Sequence, residues 1–179
     1  MEIIINFLTE KIVTLLIKYI KKFVDKYNDK CQFCLLPCYG HAELVNVDNN
    51  YSNNKSSNLV IACKLCADCL LMDQYEVNYS GKDILIYLPE ISQVDLNIMV
   101  SSIAKSIYTS DDKNEVLKAK SIYSSFSSRS SILCKALAVE VPHPSLFSLM
   151  KCHSYKENEF LGSIRLLSNP VKIQHMVCY

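Results

Sequence analysis

The chain is poor in the residues that break regular structure. It has 3 Gly and 5 Pro among 179 residues, too few for long disordered tracts. It also lacks a charge surplus: 19 Lys and Arg stand against 18 Asp and Glu, a formal net charge of +1. That balance supplies no general attraction to nucleic acid or to an anionic membrane surface. No internal repeat is visible. The length suits one domain with an appended helical part, and it is enough to bury a core.

An uninterrupted apolar span is missing as well. The opening stretch "MEIIINFLTEKIVTLLIKYIKKFVDKY" is broken by Glu10, Lys11, Lys18, Lys21, Lys22 and Asp25. A membrane-spanning helix needs about 20 mostly apolar residues. The small-residue cleavage site of a signal peptide is also absent. Ile5, Leu8, Ile12, Leu15, Tyr19 and Phe23 recur at helical spacing, with Lys11, Lys18, Lys22 and Asp25 on another face. The pattern predicts an amphipathic helix over residues 1–28. Its first reading is a helix packed on its own domain and its second a helix docked on a partner. Direct membrane insertion is not expected.

What the chain does have is cysteine. Of nine in all, six fall between Asp29 and Cys69. The odd number, the grouping into CxxC pairs and the chain length oppose a secreted disulfide scaffold. They point to a reducing cytosol and metal thiolates. Cys134, Cys152 and Cys178 stand alone and read as incidental thiols. A CxxC turn aims two sulfurs at one ion. The pairs Cys31/Cys34 and Cys63/Cys66 would complete a tetrahedron around one Zn2+ at about 2.3 Å. Four thiolates leave no open coordination position, so the ion would be structural. It would contribute on the order of 10 kcal/mol or more to folding. Cys69 extends the second pair to CxxCxxC and could replace one ligand; Cys38 reads as a bystander.

Around this centre the pattern predicts a strand in "AELVNV" (42–47) and a helix over about 64–76. A second strand is expected in "KDILIYLPE" (82–90), rich in Ile, Leu and Tyr. Ser92 with Asp95 marks a helix start, followed by apolar residues at 94, 96, 98, 99, 103 and 107. One or two helices follow over 111–139, until Pro142 and Pro144 break the run. "PSLFSLMKC" and "FLGSIRLL" read as short helices, and Pro170 opens a last one. Leu146, Phe147, Met150, Phe160, Leu161 and Leu166 are read as lining an apolar groove for a partner segment. The alternative is that they form the chain's own core.

The cysteine segment resembles the ββα-metal core of HNH endonucleases. In zinc-bearing forms of that family one CxxC precedes the first strand and another follows the motif Asn, which lies before an apolar pair. "SNLV" puts Asn58 in that place. The family's catalytic Asp-His would end the first strand, where this chain has Val45 and Asn46. The second metal-binding His should follow the last CxxC, yet "ADCLLMDQYE" (67–76) contains none. His41 lies five residues before Asn46, and Asp48 is a lone carboxylate. An amide cannot take a proton near neutral pH, and Val cannot bind a cation. No catalytic residue is therefore assigned. From residue 29 to 75, Lys30, Lys55 and Lys64 face Asp29, Glu43, Asp48, Asp68 and Asp73, a net charge of −2. Phosphate binding needs a cationic face, so nucleic acid is not an expected partner.

"CQFC…ELVNVDNNYSNNKSSNLVIAC…C…C" followed by "ILIYLPEISQVDLNIMVSSI" narrows the resemblance further. Together with "HPSLFSLM" and "GSIRLLSNP", these look like the IcmJ (DotN) family of the Dot/Icm type IVB secretion system, over roughly residues 20–175. The resemblance implies a zinc-bound, HNH-like α+β fold. Its expected division is an amphipathic helix at 1–28, a zinc module at 29–90 and a helical region at 91–179 packed on it. It also implies a non-enzymatic subunit in the bacterial cytoplasm, peripheral to the inner membrane. The implied partners are the C-terminal segment of a DotL-like coupling ATPase, a DotM-like subunit and IcmS–IcmW-like adaptors that recruit effectors. The alternative is an HNH-type metal-dependent endonuclease or a nucleic-acid-binding zinc protein. Three departures stand out: Leu35 follows Cys34 where Gly is expected, the N-terminal helix is unusually hydrophobic, and the C-terminus looks short.

Overall fold

The computed structural model describes residues 14–15, 17–48, 50, 52–72, 82–147 and 159–174. The fold is α+β and divides into two compact units, Met1–Cys63 and Lys64–Tyr179.

In the first unit residues 17–26 are helical. Leu15 and Ile17 are exposed, whereas Phe23 is buried and meets Tyr19 edge to face at 5.3 Å between ring centroids. Of the apolar face read from the sequence, Phe23 packs inward; Ile5, Leu8 and Ile12 lie outside the described residues. Asn28 and Asp29 turn the chain through left-handed backbone, which their short polar side chains tolerate. A hairpin follows: β1 (Glu43–Asn46) pairs antiparallel with β2 (Leu59–Ala62), Glu43 facing Ala62 and Asn46 facing Leu59. Val45, Leu59 and Ile61 are buried, so the alternation of the pleat supplies this unit's apolar face.

The second unit opens with α1 (Lys64–Leu70), which ends short of the expected residue 76. β3 (Ile84–Tyr87) pairs antiparallel with β4 (Ile164–Leu167), Ile84 facing Leu167 and Tyr87 facing Ile164. Between them run α2 (Gln93–Thr109), α3 (Lys113–Ser128) and α4 (Ser130–Leu137); α5 (Glu159–Gly162) precedes β4, and a 3-10 turn (Pro170–Ile173) follows it. The start of α2 is a capping box. Ser92 Oγ accepts the Asp95 N–H at 3.1 Å and donates to the Asp95 carboxylate at 2.6 Å. Asp112 caps α3, and Glu115 in its first turn accepts from Ser106 and Ser110, tying the end of α2 to the start of α3.

Two expectations are corrected here. "IRLL" within "FLGSIRLL" is not helical: it is β4, and only Glu159–Gly162 before it is a helix. Three of its four side chains are buried, and β3 offers a complementary edge, so tertiary pairing overrides a weak local helical preference. The apolar set read as a partner groove is this unit's own core. Phe147, Leu161 and Leu166 are buried with Met72, Leu85, Leu133 and Ile164, and Leu146 and Phe160 pack against them. The Phe160 ring stacks on Tyr87 at 5.0 Å between centroids. Met150 lies outside the described residues. On α2 the buried stripe is Leu96, Val100, Ile103 and Ala104, while Met99 is exposed.

A buried ion cluster pins the 3-10 turn. Lys172 Nζ reaches the carboxylates of Asp68 in α1 and of Asp83, the latter at 2.6 Å. Lys64 adds a second cation to Asp68 at 2.9 Å, and Asp83 also accepts the Asn169 N–H at 2.8 Å. The Asp83 side chain is 0% exposed and that of Asp68 9%. Removing Lys172 would leave the Asp83 carboxylate buried without that cation, beside an Asp68 that keeps Lys64, the costly way to break such a cluster. Lys172→Met is expected to destabilise the chain by about 3–5 kcal/mol in denaturant titrations at neutral pH. A loss below about 1 kcal/mol, the scale of an exposed pair, would show that the cluster is effectively solvated.

Candidate metal centre

The first CxxC turn is built by the backbone. The Leu35 N–H bonds to the Cys31 carbonyl at 3.0 Å, the Cys31 N–H to the Leu36 carbonyl at 2.9 Å, and the Gln32 N–H to the Ile61 carbonyl of β2 at 3.0 Å. These bonds close the turn and attach it to the hairpin. The second pair straddles the end of β2: Cys63 follows its last residue, and Cys66 sits in the first turn of α1. The sulfurs of Cys31, Cys34, Cys63 and Cys66 all lie within 4.8 Å of one another, and all four residues are buried.

A tetrahedral zinc site with sulfurs at about 2.3 Å has sulfur–sulfur edges of about 3.8 Å. The Cys34 and Cys63 sulfurs are 3.6 Å apart, close to that edge and far beyond the about 2.05 Å of a disulfide. The geometry therefore fits a small thiophilic cation, and Cys31, Cys34, Cys63 and Cys66 are the residues that would hold it. With an ion bound, such a set would supply a cross-link and leave no position for reactive water.

The other two cysteines of the segment stand outside this group. Cys38 is buried, its N–H held by the Asp29 carbonyl at 2.8 Å. Burial first, then Cys31, Asp29 and Cys34, push its thiol up to about 12. Burial likewise pushes the Cys69 thiol up to about 12, against the hydrogen bond from Asn97. Cys69 lies 3.6 Å from the Asn97 amide nitrogen, which also reaches Cys66 at 3.4 Å. Apolar periodicity on α2 does not mark Asn97. The available signal was a polar residue between Leu96 and Val100, on the stripe that must be buried.

Leu35 occupies left-handed backbone at φ 62°, the conformation for which glycine is suited. Its side chain is 69% exposed, so no packing offsets the strain. The departure noted in the sequence thus carries a local cost, of order 1 kcal/mol. Leu35→Gly is expected to raise stability by about 0.5 kcal/mol at most, the relief less the greater freedom of glycine in the unfolded chain. Equal or lower stability in thermal melts of the metal-loaded protein would contradict this.

Beyond β1 the loop is organised by amides around one carboxylate. Asp48 accepts from Asn53 Nδ2 at 2.7 Å, Asn58 Nδ2 at 2.8 Å and the Asn50 N–H at 2.9 Å. Asn58 also accepts the Asp48 N–H at 3.1 Å and donates to the Asn53 carbonyl at 2.8 Å. Asn46 is buried and donates to that same carbonyl at 2.8 Å, while Val45 is in the apolar face. His41 precedes β1 instead of lying on it. Asp48 and Asn58 therefore hold each other, and Asn46 and Asn58 meet at the Asn53 carbonyl.

The bonds from Asn53, Asn50 and Asn58 hold the Asp48 carboxyl below its ordinary value of 3.8. A carboxylate lowered in the folded state stabilises it above the unfolded value, and the contribution is lost as pH falls through the folded value. Asp48→Ala should therefore lower stability at neutral pH, with the gap to wild type narrowing as pH falls below the ordinary value of 3.8 and through the lowered one. A gap independent of pH would assign the effect to something other than the charge.

No protein-family model matches the chain. It is similar to the Type 4 apparatus protein DotN of Legionella pneumophila strain Philadelphia 1. The two are 31% identical over 164 residues, 89% of this chain and 76% of that protein.

Proposed function

The chain belongs to the DotN (IcmJ) family of Dot/Icm type IV secretion components, and on that basis we propose that it is a non-enzymatic, zinc-stabilised subunit of the secretion coupling complex. The observation that carries this reading is the similarity across 89% of the chain, joined to the four-sulfur cluster. One structural Zn2+ held by Cys31, Cys34, Cys63 and Cys66 would rigidify the module without supplying chemistry. The order hairpin then helix, with Asn58 cross-bonding the loop, supports a degenerate HNH-like core. The polar groups near its loop are engaged in hydrogen bonds with one another, which favours a scaffold over an endonuclease.

The partner we propose is the C-terminal segment of a DotL-like coupling ATPase, within an assembly that includes DotM-like and IcmS–IcmW-like subunits. The chain would then lie in the bacterial cytoplasm, peripheral to the inner membrane. No helix among the described residues is long and apolar enough to cross a membrane. An extended segment that orders on binding buries a large area, above about 1,000 Å2, with a few anchors setting the affinity. Calorimetry with zinc-loaded protein and that segment should show saturable binding tighter than about 10 μM, with a negative heat-capacity change. Removing the metal with a chelator should abolish it. No binding at roughly tens of micromolar by folded, loaded protein would sink the proposal.

A further inference from the structure

Asn97 is 2% exposed in the middle of a helix stripe otherwise made of Leu96, Val100, Ile103 and Ala104. A buried carboxamide is costly unless its donors and acceptor are used. Which end of an amide carries the nitrogen is an assignment that the hydrogen-bond network must decide. Here a backbone group decides it. The Leu166 N–H of β4 can only donate, and it bonds to Gln93 at 2.8 Å, so that end of the Gln93 amide is the oxygen. The Gln93 nitrogen then donates to the Leu166 carbonyl at 3.0 Å and to Asn97 at 3.0 Å, so the Asn97 atom it meets is Oδ1. Asn97 Nδ2 is left to face the sulfurs of Cys66 at 3.4 Å and Cys69 at 3.6 Å. Gln93 and Asn97 are four residues apart on α2, one turn of the same face, which keeps the relay in register.

A neutral thiol is a weak acceptor, whereas a thiolate forms a charge-assisted bond with an N–H. A buried amide nitrogen aimed at Cys66 is therefore matched to a sulfur that carries charge. We infer that Asn97 is an outer-sphere positioning residue of the metal centre, donating to the Cys66 thiolate with an orientation imposed by Gln93 and the backbone of β4. This rests on the zinc reading above. The bond draws charge from one sulfur and fixes the direction from which it meets the ion. It also separates the roles of two adjacent cysteines: Cys66 is the ligand, and Cys69 is a neighbour that shares the same amide.

The test uses the full chain loaded with Zn2+ or with Co2+ as a spectroscopic probe. Asn97→Leu keeps the approximate size and removes the donor. It should weaken zinc affinity by roughly 10- to 100-fold in chelator competition. With Co2+, the tetrahedral d–d bands should persist while the thiolate-to-metal charge-transfer band moves to lower energy, since an unbonded sulfur holds its electrons less tightly. Loss of packing alone would not move that band. Gln93→Glu keeps the acceptor for Leu166 and removes the donor that orients Asn97. It should shift the band in the same direction, and it serves if Asn97→Leu fails to fold. Cys69→Ala should retain the metal, and Cys66→Ser should lose it. Wild-type affinity and an unmoved band in the folded Asn97 or Gln93 variant would overturn the inference while leaving the zinc site standing. Cys69→Ala losing the metal as Cys66→Ser does would also overturn it. A wild-type chain that takes up neither metal would remove the zinc reading and this inference together.

Discussion

Four buried sulfurs within 4.8 Å of one another impose the constraint around which the cysteine-rich segment is arranged. As thiolates they would repel strongly in a low-dielectric setting, and a divalent cation is the simple way to turn that repulsion into a cross-link. The first turn needs two sulfurs on one side of a tight loop, and the Cys31 to Leu36 backbone bonds provide it, at the expense of a left-handed leucine. The second needs a strand that stops and a helix that starts within three residues, which is what happens between Ala62 and Lys64. In a zinc-loaded chain, metal binding and the folding of this segment would be one equilibrium.

What the sequence made legible follows from how local each signal is. CxxC spacing is local, and the four cysteines of the two pairs are the four whose sulfurs gather. Ser92 and Asp95 announce a helix start because the cap is made by residues three apart, and the capping box is there. The α+β class was legible for the same reason. β4 was not, because "IRLL" has no alternation of its own and becomes a strand only by pairing with residues about eighty positions earlier. The apolar residues from 146 to 166 showed that something would be buried but not against what. Only the packing of Leu85 and Leu133 on them distinguishes a core from a groove.

The polar residues were the least legible. Asp48 is a lone carboxylate in the sequence, yet it organises a loop through Asn50, Asn53 and Asn58. Asn97 was hidden because its partners, Cys66 and, through Gln93, Leu166, lie tens of positions away in both directions. Nothing local marks Lys172, whose partners are two carboxylates distant in sequence. Apolar patterning reports which face is buried. It carries no information on which buried polar groups will find each other, and those pairings have the larger penalties when broken.

The same polar groups bear on function. A catalytic site keeps groups whose hydrogen-bonding capacity is open to substrate, at some cost to stability. In this chain the candidates with that chemistry bond within the loop: Asn46 to the Asn53 carbonyl, Asp48 to three donors, Asn58 to Asp48 and the Asn53 carbonyl. Lys172 is likewise committed to Asp68 and Asp83. Beside four gathered sulfurs that would close around an ion, the polar groups of this loop and of the ion cluster hold the fold's own shape. Those are the properties a secretion subunit needs if its task is to present a fixed surface to other components and not to transform a substrate.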